Sequence, residues 1–175
     1  TLSVDTIWLV SGNSLTGGVF FTSNGGASWT PQLNLGSQNP EKIYMFNARI
    51  GFISKNMGSQ GYVRKTENGG VSWSIIVPND YYLDIYFADS LLGWKANYET
   101  NPSDTTMSIT TNGGLNWSKQ HLPSGEFISI FSSTSQFTNI NKDTIWAVGG
   151  YLQYPNNQIR GILYWTSNSG QNWIY

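Results

Sequence analysis

Six carboxylates are the side chains of this chain best equipped for acid–base work: Asp80, Asp84, Asp89, Glu99, Asp104 and Glu126. Two carboxylates held roughly 5–10 Å apart suffice for glycoside hydrolysis, one as acid and one as base or nucleophile. None of the six stands in a distinctive motif. The absence of cysteine excludes disulfides, Cys-ligated zinc and thiol nucleophiles. The single histidine, His121, has no serine or carboxylate pattern of a triad around it and reads as a surface residue. The expectation is therefore no catalytic residue, no metal and no cofactor. Binding chemistry is better represented. Tyr81 and Tyr82 follow Asn79-Asp80, Tyr98 and Glu99 precede Asn101 and Asp104, and Tyr151, Tyr154 and Asn157 precede Arg160. Tyrosines set among amides and charges suit stacking on sugar rings or a protein hot spot.

Composition narrows the partner. Nine Lys+Arg balance ten Asp+Glu for a net charge of −1, whereas a nucleic-acid binder carries a basic stripe to displace counterions. No apolar run approaches the ~18 residues that span a bilayer. Aromatics make up 15% of the 175 residues, with eight Trp and ten Tyr beside 19 Gly. Much aromatic surface, few charges and many turn formers predict short strands joined by tight turns.

A repeat organises these residues. Four segments align without gaps: Thr22-Ser-Asn24-Gly-Gly26-Ala-Ser-Trp29, Thr66-Glu-Asn68-Gly-Gly70-Val-Ser-Trp73, Thr110-Thr-Asn112-Gly-Gly114-Leu-Asn-Trp117 and Thr166-Ser-Asn168-Ser-Gly170-Gln-Asn-Trp173. Their tryptophans lie 44, 44 and 56 residues apart, a period expected of four-stranded propeller blades. The repeats run approximately 1–36, 37–80, 81–124 and 125–175. Each is expected to supply strands A to D, with no helix. Strand A is read at Ile43–Phe46, Leu83–Phe87 and Phe127–Ile-Ser-Ile-Phe131. Strand B centres on Trp8, Phe52, Trp94 and Trp146, strand C precedes each box, and strand D starts at the box tryptophan. The longer fourth repeat is expected to hold four extra residues in its B–C loop and eight in its A–B loop.

The box is a C–D turn with its own chemistry. Asn-Gly is a strong hairpin signal because both residues tolerate positive φ, the Thr and Asn side chains cap turn amides, and the second glycine turns too tightly for a Cβ. The tryptophan is expected to fold inward against the next blade, burying roughly 2–3 kcal/mol of apolar surface. Seven of the eight tryptophans, all but Trp165, occupy such repeated positions and are expected in the core.

These segments resemble the Asp-box, or bacterial neuraminidase repeat, Ser/Thr-x-Asp-x-Gly-x-Thr-Trp, of sialidases, some glucan hydrolases, sortilin-type receptors and photosystem II assembly/stability factors. The phrasing, with Leu92-Gly-Trp94 and Thr-Asn-Gly-Gly before the tryptophan, is most similar to the assembly factors and to repeat proteins exported to the surface of Bacteroidetes-type bacteria. Asn replaces the box aspartate at 24, 68, 112 and 168, which keeps an acceptor but loses charge. The resemblance implies an all-β propeller of four-stranded antiparallel blades, secreted, periplasmic or on the cell surface of a bacterium. It also implies that ligands bind on the face opposite the boxes. Sialidases of this class use three converging arginines; Arg49, Arg64 and Arg160 fall at an A–B end, within a strand C and at a B–C end, and are not expected to converge.

Repeat one begins at strand B, so it is read as a blade lacking its innermost strand, giving 15 strands and a segment of a larger propeller. Further blades or a second copy are expected to cover the apolar faces of its first and last blades. The function expected is a non-catalytic protein-binding or assembly scaffold whose partner is a protein or a glycan. The alternatives are a self-associating adhesive repeat of a bacterial surface protein and a segment of a glycoside hydrolase.

Overall fold

Short β-branched and aromatic runs bounded by Gly, Asn and Pro form strands wherever a neighbour completes their hydrogen bonds. A computed structural model describes residues 2–12, 16–55, 61–78, 80, 82–97, 107–120, 122, 133–153 and 158–175. Within them β1 (Ile7–Gly12), β2 (Gly17–Thr22) and β3 (Thr30–Gly36) make the first antiparallel sheet. The second comprises β4 (Lys42–Met45), β5 (Gly51–Lys55), β6 (Tyr62–Thr66) and β7 (Ser74–Val77). β8 (Tyr82–Phe87), β9 (Gly93–Asn97), β10 (Met107–Thr110) and β11 (Ser118–Lys119) make the third. β12 (Ser133–Asn139), β13 (Ile145–Gln153) and β14 (Gln158–Thr166) make the fourth. Each sheet is a simple meander, and the described residues include no helix, hence none long and apolar enough to cross a membrane.

The chain divides into two compact units, Thr1–Asp80 and Tyr81–Tyr175, each built of two sheets. Side-chain alternation along the strands gives every sheet two faces, and one core lies between the two sheets of each unit. In the first unit Trp8, Val19 and Leu35 from sheet one meet Ile53, Tyr62 and Trp73 from sheet two. In the second, Trp94 and Met107 from sheet three meet Ile145, Ala147, Ile162, Tyr164 and Trp173 from sheet four. Toward the start of sheets three and four, Asp84 on β8 is buried and accepts the Phe137 amide of β12 at 3.0 Å.

Several expectations need correction. Strand A of the fourth repeat is Ser133–Asn139, downstream of the apolar run 127–131, which lies outside the described residues. Register explains the choice: Tyr44, Tyr86 and Thr138 pair with Phe52, Trp94 and Trp146, each exactly the same eight residues upstream. The A–B turn therefore has one length throughout, and the eight extra residues precede strand A. Among the described residues fourteen strands form, against the fifteen expected, and the last strand D is reduced to a bridge between Trp165 and Ile174. The box asparagines do not take positive φ. The two residues after each one do: Gly25 and Gly26 at 67° and 91°, with Ser169 (57°) and Gly170 (78°) in the fourth box.

Candidate functional site

Each box is held by one buried threonine. Its Oγ1 accepts the backbone N–H of the second box glycine (Gly26, Gly70, Gly114, Gly170) at 3.1, 2.8, 2.9 and 3.0 Å. The same hydroxyl donates to the box asparagine Oδ1 at 2.7–3.0 Å. That Oδ1 also accepts the N–H of the residue before the tryptophan, Ser28, Ser72, Asn116 or Asn172. In the first two boxes the amide adds a bond that a carboxylate lacks: Asn24 and Asn68 Nδ2 donate to Ser28 and Ser72 Oγ at 2.9 Å. The asparagine of these two boxes thus uses its oxygen twice and its amide nitrogen once.

A second repeated turn faces the box. Five residues before each strand B aromatic stands Ser3, Asn47, Asp89 or Asn141. Each side-chain oxygen accepts the amides two and three residues on, at 2.7–2.9 Å for the three Asx residues and at 3.3 and 3.0 Å for Ser3. These A–B turns then take a hydrogen bond from the box. Gly25, Gly69, Gly113 and Ser169 N–H donate to the carbonyls of Asp5, Arg49, Leu91 and Asp143. Ser169, the one box residue without the usual glycine, is further tied through its hydroxyl to Asp143 at 2.6 Å. Both turns at this end of sheets two to four are therefore clipped together, and in sheet one the box is clipped to the segment that leads into β1.

The box tryptophans join sheets. Trp73 is 8% exposed and lies in the core with Trp8, on the preceding sheet rather than the following one. Trp8 Nε1–H donates to Gly69 O at 3.2 Å and Gln32 Oε1 at 3.1 Å, and Gln32 Nε2 donates to Gly69 O at 2.9 Å. The second unit repeats the apolar packing with the indole roles exchanged. Trp173 Nε1–H, of the box, donates to Gln120 Oε1 at 2.7 Å, Trp94 Nε1 is buried without a hydrogen-bond partner among the described residues, and Gly170 lies so close to the Trp94 indole that a Cβ would meet it. Burial of all the repeated tryptophans does not follow. Trp29 is 39% exposed because the sheet it would pack on is not among those the described residues form. Trp117 is partly buried, edge-on to Phe87 at 6.0 Å, with the Lys95 ammonium 5.2 Å from its ring centre.

The joint cores hold three tyrosines whose hydroxyls titrate late. Burial, partly opposed by the Arg64 charge, pushes Tyr62 up to about 12, and its hydroxyl donates to Gln38 O at 3.1 Å. Burial also raises Tyr86, and raises Tyr164 with a smaller contribution from Tyr175.

Of the expected binding residues, Tyr82 is withdrawn: it starts β8 and is fully buried, because the strand begins one residue earlier than the apolar run suggested. Tyr151 and Arg160 are brought together, directly opposite each other in the β13–β14 register near the B–C end. Tyr81, Tyr98, Glu99, Asp104, Tyr154 and Asn157, with His121, lie outside the described residues. Arg49 sits on an A–B turn and Arg64 within β6, over the Tyr62 ring at 5.2 Å. Asp84 and Asp89, two of the candidate acids, are engaged by backbone amides, Ile85 and Phe137 for the first and Leu91 and Leu92 for the second. Sequence reasoning missed the serine/Asx turns, although their constant spacing before the strand B aromatic was visible, and missed Gln32 and Gln120, each three residues after a box tryptophan.

No protein-family model and no curated protein matches the chain. Solved structures do. The Niastella koreensis GH74 enzyme aligns with 97% of this chain and 36% of its own at 11% identity and a TM-score of 0.55. An ancestral GH74 enzyme aligns with 98% of this chain and 26% of its own, at 17% identity and a TM-score of 0.59. YCF48 with a bound peptide aligns with 90% of this chain and 60% of its own, at 11% identity and a TM-score of 0.51. The chain spans less than two thirds of each of these chains. Together with the meander sheets, the likeness makes this an all-β chain of propeller fold.

Proposed function

We propose that the chain is a non-catalytic propeller scaffold of the Asp-box type, secreted or exposed on a cell surface, that binds a protein partner. The observation that carries this reading is the apolar character of the outer sheet faces, where Leu9 and Trp29 on sheet one and Val148, Leu163 and Ile174 on sheet four are exposed. Exposed apolar faces of this kind mark sites of protein association. The employment of Asp84 and Asp89 in backbone hydrogen bonds supports the same reading, as does the peptide-bound YCF48 neighbour. A second surface for a protein or glycan is proposed opposite the boxes, where the sequence sets Tyr81, Tyr98, Glu99, Asp104, Tyr154 and Asn157 in the connections and where β13 and β14 carry Tyr151 and Arg160.

The GH74 likenesses favour one other reading, a segment of a glycoside hydrolase. Incubation with xyloglucan oligosaccharides, followed by reducing-end assay and by calorimetry against an array of apolar peptides, separates the two. The scaffold reading expects no new reducing ends and measurable peptide binding. Turnover, or peptides that never bind, overturns it.

A further inference from the structure

The two buried joints use equivalent positions, and an exposed copy of each half stands on sheet one and on sheet four. On the receiving side of sheet one, Trp8 and Phe21 face each other across the β1–β2 pair beside Val10 and Val19, all packed toward sheet two. Trp94, Ile109 and Met107 hold the same places on sheet three, packed toward sheet four. On sheet four those places belong to Trp146, Trp165, Val148 and Leu163. Trp146 and Trp165 stack at 5.8 Å and 24°, while Leu163 beside them is 48% exposed.

On the inserting side, Ile53, Tyr62 and Trp73 of sheet two fill one joint, and Ala147, Ile162 and Trp173 of sheet four fill the other. The same places on sheet one are Leu9, Gly18 and Trp29, of which Leu9 is 46% exposed. Gly18 stands where the buried joints have Tyr62 or Ile162, and borders a cavity of about 310 Å³ walled by Phe20, Pro31 and Leu33. Neither set contains a charged residue, so pairing them removes apolar surface from water without stranding an ion.

We propose that these surfaces are the two sides of an interface between copies of this chain: the Leu9–Trp29 face of one seats on the Trp146–Leu163 face of the next. The apolar complementarity needed is the one the chain already builds twice within itself. Where the contact follows the first joint, the Trp146 indole N–H reaches the Gly25 carbonyl as Trp8 reaches Gly69, whereas Trp94 in the second joint has no such partner among the described residues. The contact is heterologous, so it is not limited to two copies. The proposal rests on the scaffold reading and names its partner.

Sedimentation equilibrium over a wide concentration range tests it, using Trp29→Asp and Trp146→Asp with near-UV circular dichroism as a check of folding. The unsubstituted chain is expected to rise in mass with concentration, and each variant alone to associate at least about tenfold more weakly. An equimolar mixture of the two, which retains one intact face of each kind, is expected to form a two-chain species and nothing larger. Leu9→Lys and Leu163→Lys, at exposed positions, repeat the test should an aspartate variant misfold. An unsubstituted chain that stays monomeric, a single variant that still associates, or a folded mixture that remains monomeric overturns the proposal. Peptide binding by such monomers would leave the scaffold reading standing.

Discussion

The first and second boxes share one pattern, Thr-x-Asn-Gly-Gly-x-Ser-Trp, and one set of internal hydrogen bonds, yet Trp29 is 39% exposed and Trp73 only 8%. The hydrogen-bonded turn is local and forms in both. Burial of the indole is a property of the neighbouring sheet, present for Trp73 in the form of Trp8, Val19 and Leu35. A residue's place in a repeat thus fixes its conformation, while its energetic worth is set by what the preceding repeat supplies.

The largest expected difference between the boxes follows directly. Trp73→Ala should lose about 3–5 kcal/mol, as truncation of a buried aromatic does, and Trp29→Ala less than about 1 kcal/mol under dilute conditions. Urea denaturation of the two variants measures both; equal costs would break the comparison.

Alkaline titration probes the same joint. Tyr62, which shares the core with Trp73, is held neutral by burial to about 12 against an ordinary value of 10.0. The folded state binds this proton more tightly than the unfolded chain, so its stabilisation is complete below about pH 10 and is lost as pH rises through about 12. The loss should be on the order of 2 kcal/mol, and Tyr62→Phe should flatten that part of a stability–pH profile. A variant profile as steep as the unsubstituted one would place the titration elsewhere.

A smaller effect should be the same in both boxes. Thr22→Val and Thr66→Val each strand the amide of a turn glycine and leave a box asparagine oxygen with only its bond from Ser28 or Ser72 N–H, at about 1–3 kcal/mol. Closely matched losses in denaturant melts would show the turn to be autonomous, whereas a loss confined to Thr66→Val would tie it to the joint.

Strands B and C and the boxes were legible because their residues recur at fixed spacing and alternate between two apolar faces. Strand A of the fourth repeat was not, since Ser133–Asn139 is polar and a more apolar run precedes it. The Asn141 turn, five residues before Trp146, decides its place by fixing the hairpin. Which tryptophans are buried was illegible for a different reason: it depends on contacts between sheets, which the box motif does not encode. The candidate site was least legible, because the loops opposite the boxes have no repeated pattern to constrain them. Tyr82 shows the difficulty, for it has the composition of a loop residue and the burial of a strand residue.

The most direct test of joining through box tryptophans is a double-mutant cycle on the second unit's joint, with Gln120→Met, Trp173→Phe and their combination measured by urea denaturation. The 2.7 Å bond from Trp173 Nε1–H to Gln120 Oε1 predicts a coupling of about 1 kcal/mol. Strict additivity of the two losses would contradict the joint.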